Sequence, residues 1–282
     1  MKEFIAILKN ELVKTIKRPR SFIGFGVVAF ICLILQAAFY NDGREILSLV
    51  TGQLENSLSI EGNILNGNLV CFVLLQTLII QMPLLVALVT GDLVSGEVAN
   101  GTMRFLLTRP ASRTKILVAK WLAGMFYTLL LLIFLGVLAL FLSRALFGVN
   151  DLIYVNSEAL TVLKANDLNW RFAGAFVIAF LSLSVVATLA HFLSTVLDNS
   201  ITPIVSTMAI VIIFTIIGMF DMPSFNVIQP FLFTTHMISW KDMFEDPIPK
   251  QEIIKSCIIL FAHIVLLLGS AVYIFNRKDI NS

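Results

Sequence analysis

The feature that most constrains this chain is a series of six apolar stretches, each 20 to 26 residues long. A bilayer core about 30 Å thick is crossed by roughly 20 residues of helix. Backbone groups in lipid must form hydrogen bonds within their own segment, which favours helices. No stretch alternates with a period of two, so a membrane barrel is disfavoured. The predicted spans are residues 21–40, 69–90, 121–142, 172–197, 201–220 and 256–275.

Composition excludes several classes of protein. The chain of 282 residues is 58% hydrophobic and only 13% charged, whereas a soluble domain is about 25% charged. A soluble enzyme and a disordered chain are therefore excluded, and the net charge of +2 is too small to indicate a nucleic-acid partner. The three cysteines lie within apolar stretches, so neither a disulfide framework nor a zinc site is predicted. We expect an all-α, polytopic membrane protein.

The distribution of basic residues predicts how the chain is oriented. Thirteen of the 20 Lys and Arg residues lie on the side that holds both tails and the loop after the second span. The three loops on the other side are longer but carry only seven. The positive-inside rule therefore places both termini in the cytoplasm. We predict a multi-pass protein of the cell membrane.

Ionisable groups are scarce within the spans. Asp and Glu are absent from all six, and His191 and His263 are the exceptions among ionisable groups. Ion-driven transporters carry charge on ionisable groups within their spans, so that class of protein is disfavoured. An intramembrane enzyme is disfavoured as well, because the spans lack the polar side chains that it would need. No H-E-x-x-H motif indicates a metalloprotease. We interpret the two histidines as hydrogen-bond partners between helices rather than as ligands.

Residues 1–20 form a cytoplasmic unit ahead of a transmembrane domain at residues 21–282. Their apolar residues recur at helical spacing, and lysines occupy the remaining surface. The pattern predicts an amphipathic interfacial helix, with its apolar face among lipid headgroups and its lysines toward anionic lipid or a partner. The apolar set is Phe4, Ile5, Leu8, Leu12 and Ile16.

The loop at residues 91–118 is too polar for a span and too regular for disorder. Glu97 falls near the start of a short helical turn, where a carboxylate suits the helix dipole, and Gly101 allows a left-handed or tight turn. Met103 and Phe105 begin an apolar surface. We therefore expect a short rigid helix with exposed apolar residues that docks a partner. The glycine spacing resembles a phosphate-binding loop, but the lysine of that motif is missing, so ATP is not bound here.

The residues of this loop also carry a family resemblance, at Gly96-Glu97, Gly101-Thr102, Leu106-Leu107, Arg109-Pro110, Ser112-Arg113 and Lys120. The pattern is similar to that of ABC-2 type permeases, the membrane subunits of ATP-binding-cassette transporters whose ATPase is a separate chain. In that family the loop carries a coupling helix that inserts into the ATPase. The resemblance implies that the coupling residues are Asp92, Gly96, Glu97, Gly101, Thr102, Met103, Arg104 and Phe105.

The same resemblance implies the rest of the assembly. A cytoplasmic ATPase dimer would bind ATP and Mg, and this chain would hold no cofactor, metal or catalytic residue. A second permease subunit, identical or not, would share a path lined by the second and fifth spans. The external loop at residues 221–252 would form short re-entrant helices. The expected function is export of amphipathic or hydrophobic cargo, with antimicrobial or toxin-like peptides as the expected class.

Two points stay open from the residues alone. Pro83, inside the second span, removes the backbone hydrogen bond to the carbonyl of Ile79, so it introduces either a kink or a gating hinge. A membrane scaffold or sensor that recruits a soluble partner would use the same docking loop without a transport path.

Overall fold

The computed structural model describes residues 2–51, 65–103, 112–155, 160–220 and 222–278. Within those residues, six helices are long and apolar enough to cross a membrane. Each predicted span overlaps one of these helices almost completely. The architecture is therefore that of a mostly helical, multi-pass membrane protein.

The helices, numbered in chain order, are α1 (Lys2–Lys17), α2 (Pro19–Thr51), α3 (Gly67–Thr90), α4 (Ser95–Ala99), α5 (Arg113–Gly136), α6 (Ser143–Phe147), α7 (Ala165–Val196), α8 (Thr202–Met219), α9 (Pro223–Asn226), α10 (Phe233–His236) and α11 (Lys250–Arg277). A π-helical segment joins α5 to α6 at Val137–Leu142. Two 3₁₀ turns flank α10, at Gln229–Phe231 and Ser239–Phe244.

Several helices begin at residues that satisfy the free amides of a first turn. The Asn66 side chain accepts hydrogen bonds from the amides of Asn68 and Leu69, at 3.0 and 3.1 Å, and so caps α3. Pro203 lies in the first turn of α8, where its missing amide hydrogen costs nothing. These local signals explain why the helix starts lie close to the predicted ones.

The all-α expectation did not include a short antiparallel hairpin in the loop between the third and fourth spans. Its strands are β1 (Leu152–Val155) and β2 (Leu160–Leu163). Leu152 pairs with Leu163, and both side chains are buried. Four residues are too few for a period-two pattern to stand out from the apolar sequence around it, which is why the hairpin was missed.

The helix α7 lies at the centre of the bundle. It packs against α3, α5, α8 and α11, and two thirds of its most apolar window is buried within the chain. By contrast, α8 and α11 are each only about one fifth buried over the same length. The helix α3 runs through the buried Pro83 without a break, and a hinge at that residue stays a prediction.

Both ends of the described chain lie at the same end of the bundle. Near the C-terminus, the Lys278 ammonium lies 2.6 Å from Asp198, which follows α7. Near the N-terminus, Glu3 pairs with Lys115 at 3.0 Å, at the start of α5. An even number of crossings requires this arrangement. Its assignment to the cytoplasm stays a prediction.

The segment between α8 and α11 forms short helices and turns that fold back onto the bundle. Trp240 and Phe244 are buried against Phe72 of α3, with ring centroids 5.8 and 5.1 Å away. Arg171 of α7 donates to the main-chain carbonyls of Met243 and Glu245. The predicted short helices are therefore present, whereas their entry into the membrane stays a prediction.

Candidate functional site

A cluster of charged side chains lies where α1 meets the end of the bundle that holds both chain ends. It contains three carboxylates and four cations, drawn from α1, the α1–α2 junction, the start of α2, the α3–α4 connection, α4 and α5. We call it the charge network, and its members are Glu11, Lys14, Arg18, Arg20, Asp92, Glu97 and Lys120.

Lys120 of α5 is the buried centre of this network. Its side chain is fully buried, and its Nζ lies 2.8 Å from Glu11 Oε2 and 2.7 Å from Glu97 Oε2. Because an unpaired buried charge is very costly, the two carboxylates are what allow a cation here. Contact between α1, α4 and α5 therefore depends on charge pairing as well as on apolar packing.

Asp92 forms the second half of the charge network. Its two carboxylate oxygens lie 2.9 Å from Arg20 Nη1 and 3.3 Å from Arg18 Nη1. Ser200, in the α7–α8 connection, donates to Asp92 and accepts from Arg20. Gly96 leaves room for the Asp92 carboxylate, because a Cβ at this position would require that carboxylate to shift. The α3–α4 connection is thereby joined to both α2 and the α7–α8 turn.

The short helix α4 is capped by a side chain from a different helix. The amides of Val94 and Ser95 donate to the Ser194 hydroxyl of α7, at 3.1 and 2.9 Å. The first amides of a helix have no partner within it, and Ser194 supplies one from outside. This cap fixes α4 to the central helix of the bundle.

Lys14 of α1 bridges two carboxylates of the charge network. Its Nζ lies 3.1 Å from Glu11 Oε1 and 3.1 Å from Glu97 Oε1. Burial by itself would lower the pKa of Lys14, but the carboxylates of Glu11 and Glu97 raise it, and the pKa ends above its ordinary value. The Lys14 bridge is therefore fully charged at neutral pH.

These contacts correct part of the expectation for α1. The segment is a helix, as predicted, but Lys14 faces Glu97 of its own chain rather than lipid or a partner. The side of α1 toward the bundle buries Glu11 and Thr15, whereas Ile5 and Ile16 are exposed. The reason is that a buried Lys120 requires carboxylates, and α1 provides one of them. Contact of the exposed apolar residues with lipid headgroups stays a prediction.

An exposed turn follows α4, formed by Asn100, Gly101 and Thr102. Gly101 has a φ of +68°, which confirms the left-handed conformation predicted for it. The Thr102 hydroxyl donates to the carbonyl of Glu97 at 3.2 Å. We call this segment the exposed turn, and it leads directly from the charge network to the molecular surface.

The structure divides the predicted coupling residues into two groups. Gly101 and Thr102 are exposed, while the others among the described residues are buried, namely Asp92, Gly96, Glu97 and Met103. Met103 was expected on an exposed apolar surface, but it packs in a cluster with Leu117 and Phe275, because a methionine next to α5 and α11 is better removed from water. Arg104 and Phe105 lie outside the described residues.

Sequence reasoning did not single out Glu11, Arg18, Arg20 or Ser194. A signal for the first two was present, because Glu11, Lys14 and Arg18 are spaced by three and four residues and so share one face of a helix. A face that carries both signs of charge indicates a protein contact more than a lipid contact. Ser194 had no signal in the sequence, since its role depends on where α4 lies.

The interpretation of the membrane histidines is wrong for His263. Its Nδ1 is hydrogen-bonded to the carbonyl of Ile259, 2.8 Å away on its own helix. In apolar surroundings the carbonyl one turn back is the nearest polar group, so no second helix is needed. His191 is buried within α7.

The arrangement is suited to transmitting a displacement from the exposed turn to several helices. The exposed turn is connected through α4 and the charge network to α1, α2, α5 and α7. A partner that displaced the turn would therefore displace several helices together, because the buried charges cannot separate cheaply. Among the described residues, no group of three or more His, Cys, Asp or Glu side chains could hold a metal ion.

Comparison with known families gives a match over most of the chain. No curated protein matches the chain. A family model described as "Protein of unknown function (DUF2705)" matches residues 28–281, a range that includes Asp92, Glu97 and Lys120. Because the match covers most of its length, the chain belongs to the DUF2705 family.

Proposed function

We propose that the chain is the permease subunit of an ABC-2 type ATP-binding-cassette transporter. It works with a separate cytoplasmic ATPase dimer and with a second permease subunit in the cell membrane. The cargo is an amphipathic or hydrophobic molecule, with antimicrobial or toxin-like peptides as the proposed class, and it moves outward.

The observation that carries this proposal is the exposed turn fixed to a buried charge network. A coupling element needs a surface that the ATPase can contact and a stiff connection to the spans. Gly101 and Thr102 provide exposed surface, and Glu97 provides the connection through Lys120 and Lys14. Nucleotide-driven closure of the ATPase would then bias the spans between two arrangements.

The packing of the helices is compatible with a path at a subunit interface. The second and fifth spans, α3 and α8, are neighbours in the bundle. Most of the surface of α8 is not covered by its own chain, so it is free to meet a second subunit. The apolar character of the spans favours hydrophobic over charged cargo.

Affinity purification from mild detergent tests the partner. We expect a stoichiometric P-loop ATPase with the wild-type chain, and its loss on Thr102→Arg, which adds bulk and charge to the exposed turn. Asn166→Arg is the matched control, because Asn166 is also exposed but lies at the start of α7, at the other end of the bundle. Recovery of an ATPase that both variants retain would remove the exposed turn from the interface.

Reconstituted ATPase activity separates transport from scaffolding. If the complex transports, an amphipathic peptide cargo should stimulate ATP hydrolysis, and Glu97→Gln should reduce that stimulation while the ATPase stays bound. A partner without ATPase activity would favour the scaffold instead.

A further inference from the structure

An apolar groove runs along the surface of the bundle between α5 and α7. One wall is formed by residues 129–141, which belong to α5 and the π-helical segment after it, and the other by residues 176–180 of α7. Every residue that lines the groove is apolar, and its volume is about 350 Å³. Ile133, Phe141 and Val177, on its walls, are each more than half exposed. We call it the α5–α7 groove.

Two local features shape this groove. The π-helical segment at Val137–Leu142 interrupts the regular helix between α5 and α6, an uncommon arrangement that often occurs at functional sites. Gly136 lets the ring of Phe176 lie close against α5, because a Cβ on Gly136 would be 3.0 Å from the ring. Leu129 and Phe141 are twelve residues apart, or about 18 Å along a helix. That length is close to half of a hydrocarbon core of about 30 Å, so the groove matches the depth of one leaflet.

Arg144 of α6 lies at the end of the groove that is farther from both chain ends. Its Nη1 donates to Asn169 of α7 at 2.7 Å in an exposed position, and its Nε donates to Asn68 of α3 at 2.8 Å. Its Cζ is 5.8 Å from the centre of the Phe172 ring. Asn169 and Phe176 are two helical turns apart and share one face of α7. The guanidinium therefore continues the line of the groove toward the bilayer surface.

The positive charge of Arg144 has no carboxylate beside it within the described part of the chain. A guanidinium carries five N–H donors, and Arg144 uses two of them, both on neutral amides. Its Nη2 is buried without a hydrogen-bond partner. The Phe172 ring attracts the cation but supplies no countercharge. Arg171, the other arginine described at this end, differs because it pairs with Asp167 at 2.7 Å.

We propose that the α5–α7 groove and Arg144 form a binding site for one anionic phospholipid. The lipid phosphate accepts hydrogen bonds from Arg144, and one acyl chain lies in the groove. A guanidinium–phosphate pair is a strong, charge-assisted contact, and the groove removes apolar surface from other contacts as it takes up the chain. A free phosphate ion would leave the groove empty, whereas a phospholipid occupies both parts of the site.

The depth of Arg144 in the membrane agrees with a phosphate ligand. Arg144 directly follows the predicted third span, at residues 121–142. Trp170, at the same end of α7 as Asn169, is 49% exposed, and exposed tryptophans are typical of the headgroup level. The lipid therefore belongs to the leaflet on the side of the bundle away from both chain ends, and it joins α5 and α6 to α7.

Native mass spectrometry of the chain, purified from membranes in mild detergent, tests the charged half of the site. The wild-type chain should retain one molecule of added dioleoylphosphatidylglycerol. Dioleoylphosphatidylcholine has the same acyl chains and phosphate but a neutralising ammonium, and it should bind about 10-fold more weakly, as should phosphatidylglycerol to Arg144→Gln. Arg277→Gln is the matched control, because Arg277 also lies on an aromatic ring, that of Tyr273, but at the other end of the bundle. It should bind like the wild type.

A second variant tests the apolar half and leaves Arg144 with its contacts to α3 and α7. Val177→Trp fills the groove with a larger side chain and should displace the acyl chain. Val265→Trp, at an exposed apolar position of α11, is its control and should change nothing. Photolabelling with a phosphatidylglycerol that carries a diazirine in its acyl chain should modify residues 129–141 and 176–180 in the wild type, and this labelling should be lost in Val177→Trp.

Three results would overturn the proposal. Equal binding of the two lipids would show that the site requires no anion. Undiminished binding of phosphatidylglycerol to both Arg144→Gln and Val177→Trp would place the lipid elsewhere. Labelling spread evenly over the outer surface, α11 included, would indicate surrounding bilayer lipid rather than a site. None of these measurements uses the ATPase, so their outcome is separate from that of the proposed transport function.

Discussion

The two ends of the bundle each bury a cation, but they neutralise it in different ways. At one end, Lys120 is paired with the carboxylates of Glu11 and Glu97. At the other end, Arg171 donates to the main-chain carbonyls of Met243 and Glu245, at 3.0 and 2.8 Å, and pairs with Asp167 in its own helix.

This difference determines which substitutions each end of the bundle tolerates. Carbonyl oxygens are present whatever side chain follows, so the segment held by Arg171 can vary in sequence and still be bound. The Lys120 end requires particular side chains on three separate segments, and loss of Lys120 leaves Glu11 and Glu97 buried with the partly exposed Lys14 as their common cation. The first end is therefore suited to holding a loop, and the second to linking helices that must move together.

The largest effect is expected for Lys120→Met. It removes the buried cation from Glu11 and Glu97 and leaves them the partly exposed Lys14 in common, which should cost up to about 3–5 kcal/mol of unfolding free energy. Thermal unfolding in detergent measures this loss. Adding Glu97→Gln to the variant should recover part of it, because one uncompensated charge is removed.

The exposed pair of Lys115 and Glu3 provides the control for that prediction. Both side chains are about half exposed, and pairs of this kind contribute under about 1 kcal/mol. Lys115→Met should therefore change the unfolding temperature little. Equal losses in the Lys115 and Lys120 variants would contradict the role given to burial.

A smaller effect is expected at the opposite end for Arg171→Met. The main-chain carbonyls of Met243 and Glu245 lose the guanidinium that donates to them, which should lower the unfolding free energy by about 1–3 kcal/mol. The loss should be local, so hydrogen exchange and proteolysis should increase around residues 239–249 while α1 stays protected. Simultaneous release of α1 would show that the two ends are not independent.

A change in the exposed turn should cost less again. Gly101→Ala forces a residue with a Cβ into a φ of +68°, at a cost of about 1 kcal/mol. Gly101→Asn should cost less, since asparagine tolerates this conformation. Gly26→Ala, at a helical position with no atom near the added carbon, is the control and should not destabilise the protein.

The smallest effect concerns pH at the Arg171 end. Burial raises the pKa of Asp242 to about 6, and the carboxylates of Glu245 and Glu252 add to the shift. A carboxyl whose pKa is raised on folding favours the folded state below that pKa, so its penalty at neutral pH should fade as the pH drops from about 7 toward 5. Asp242→Asn should flatten this part of the unfolding profile measured between pH 5 and 8. An unchanged slope would contradict the assignment.

Much of the fold could be predicted because its strongest signals are local. Twenty apolar residues in a row specify a membrane helix without reference to the rest of the chain. In the same local way, a glycine at position 101 indicates a left-handed backbone conformation. The weaker local signal of the hairpin at Leu152–Leu163 was not detected, because each of its strands has only four residues. Part of the candidate site was also singled out from the sequence. Glu97 and Gly101 were noticed because they stand in a loop whose polarity contrasts with that of the spans.

What the sequence by itself determined is therefore the number of spans, their approximate ends and the presence of a short helix after the second span. The tertiary structure alone decided which charges meet. Glu11 and Lys120 are far apart in the chain, yet their side chains lie 2.8 Å apart. No periodicity encodes such a pair, because its partners are selected by helix packing and by the high cost of leaving a buried charge alone.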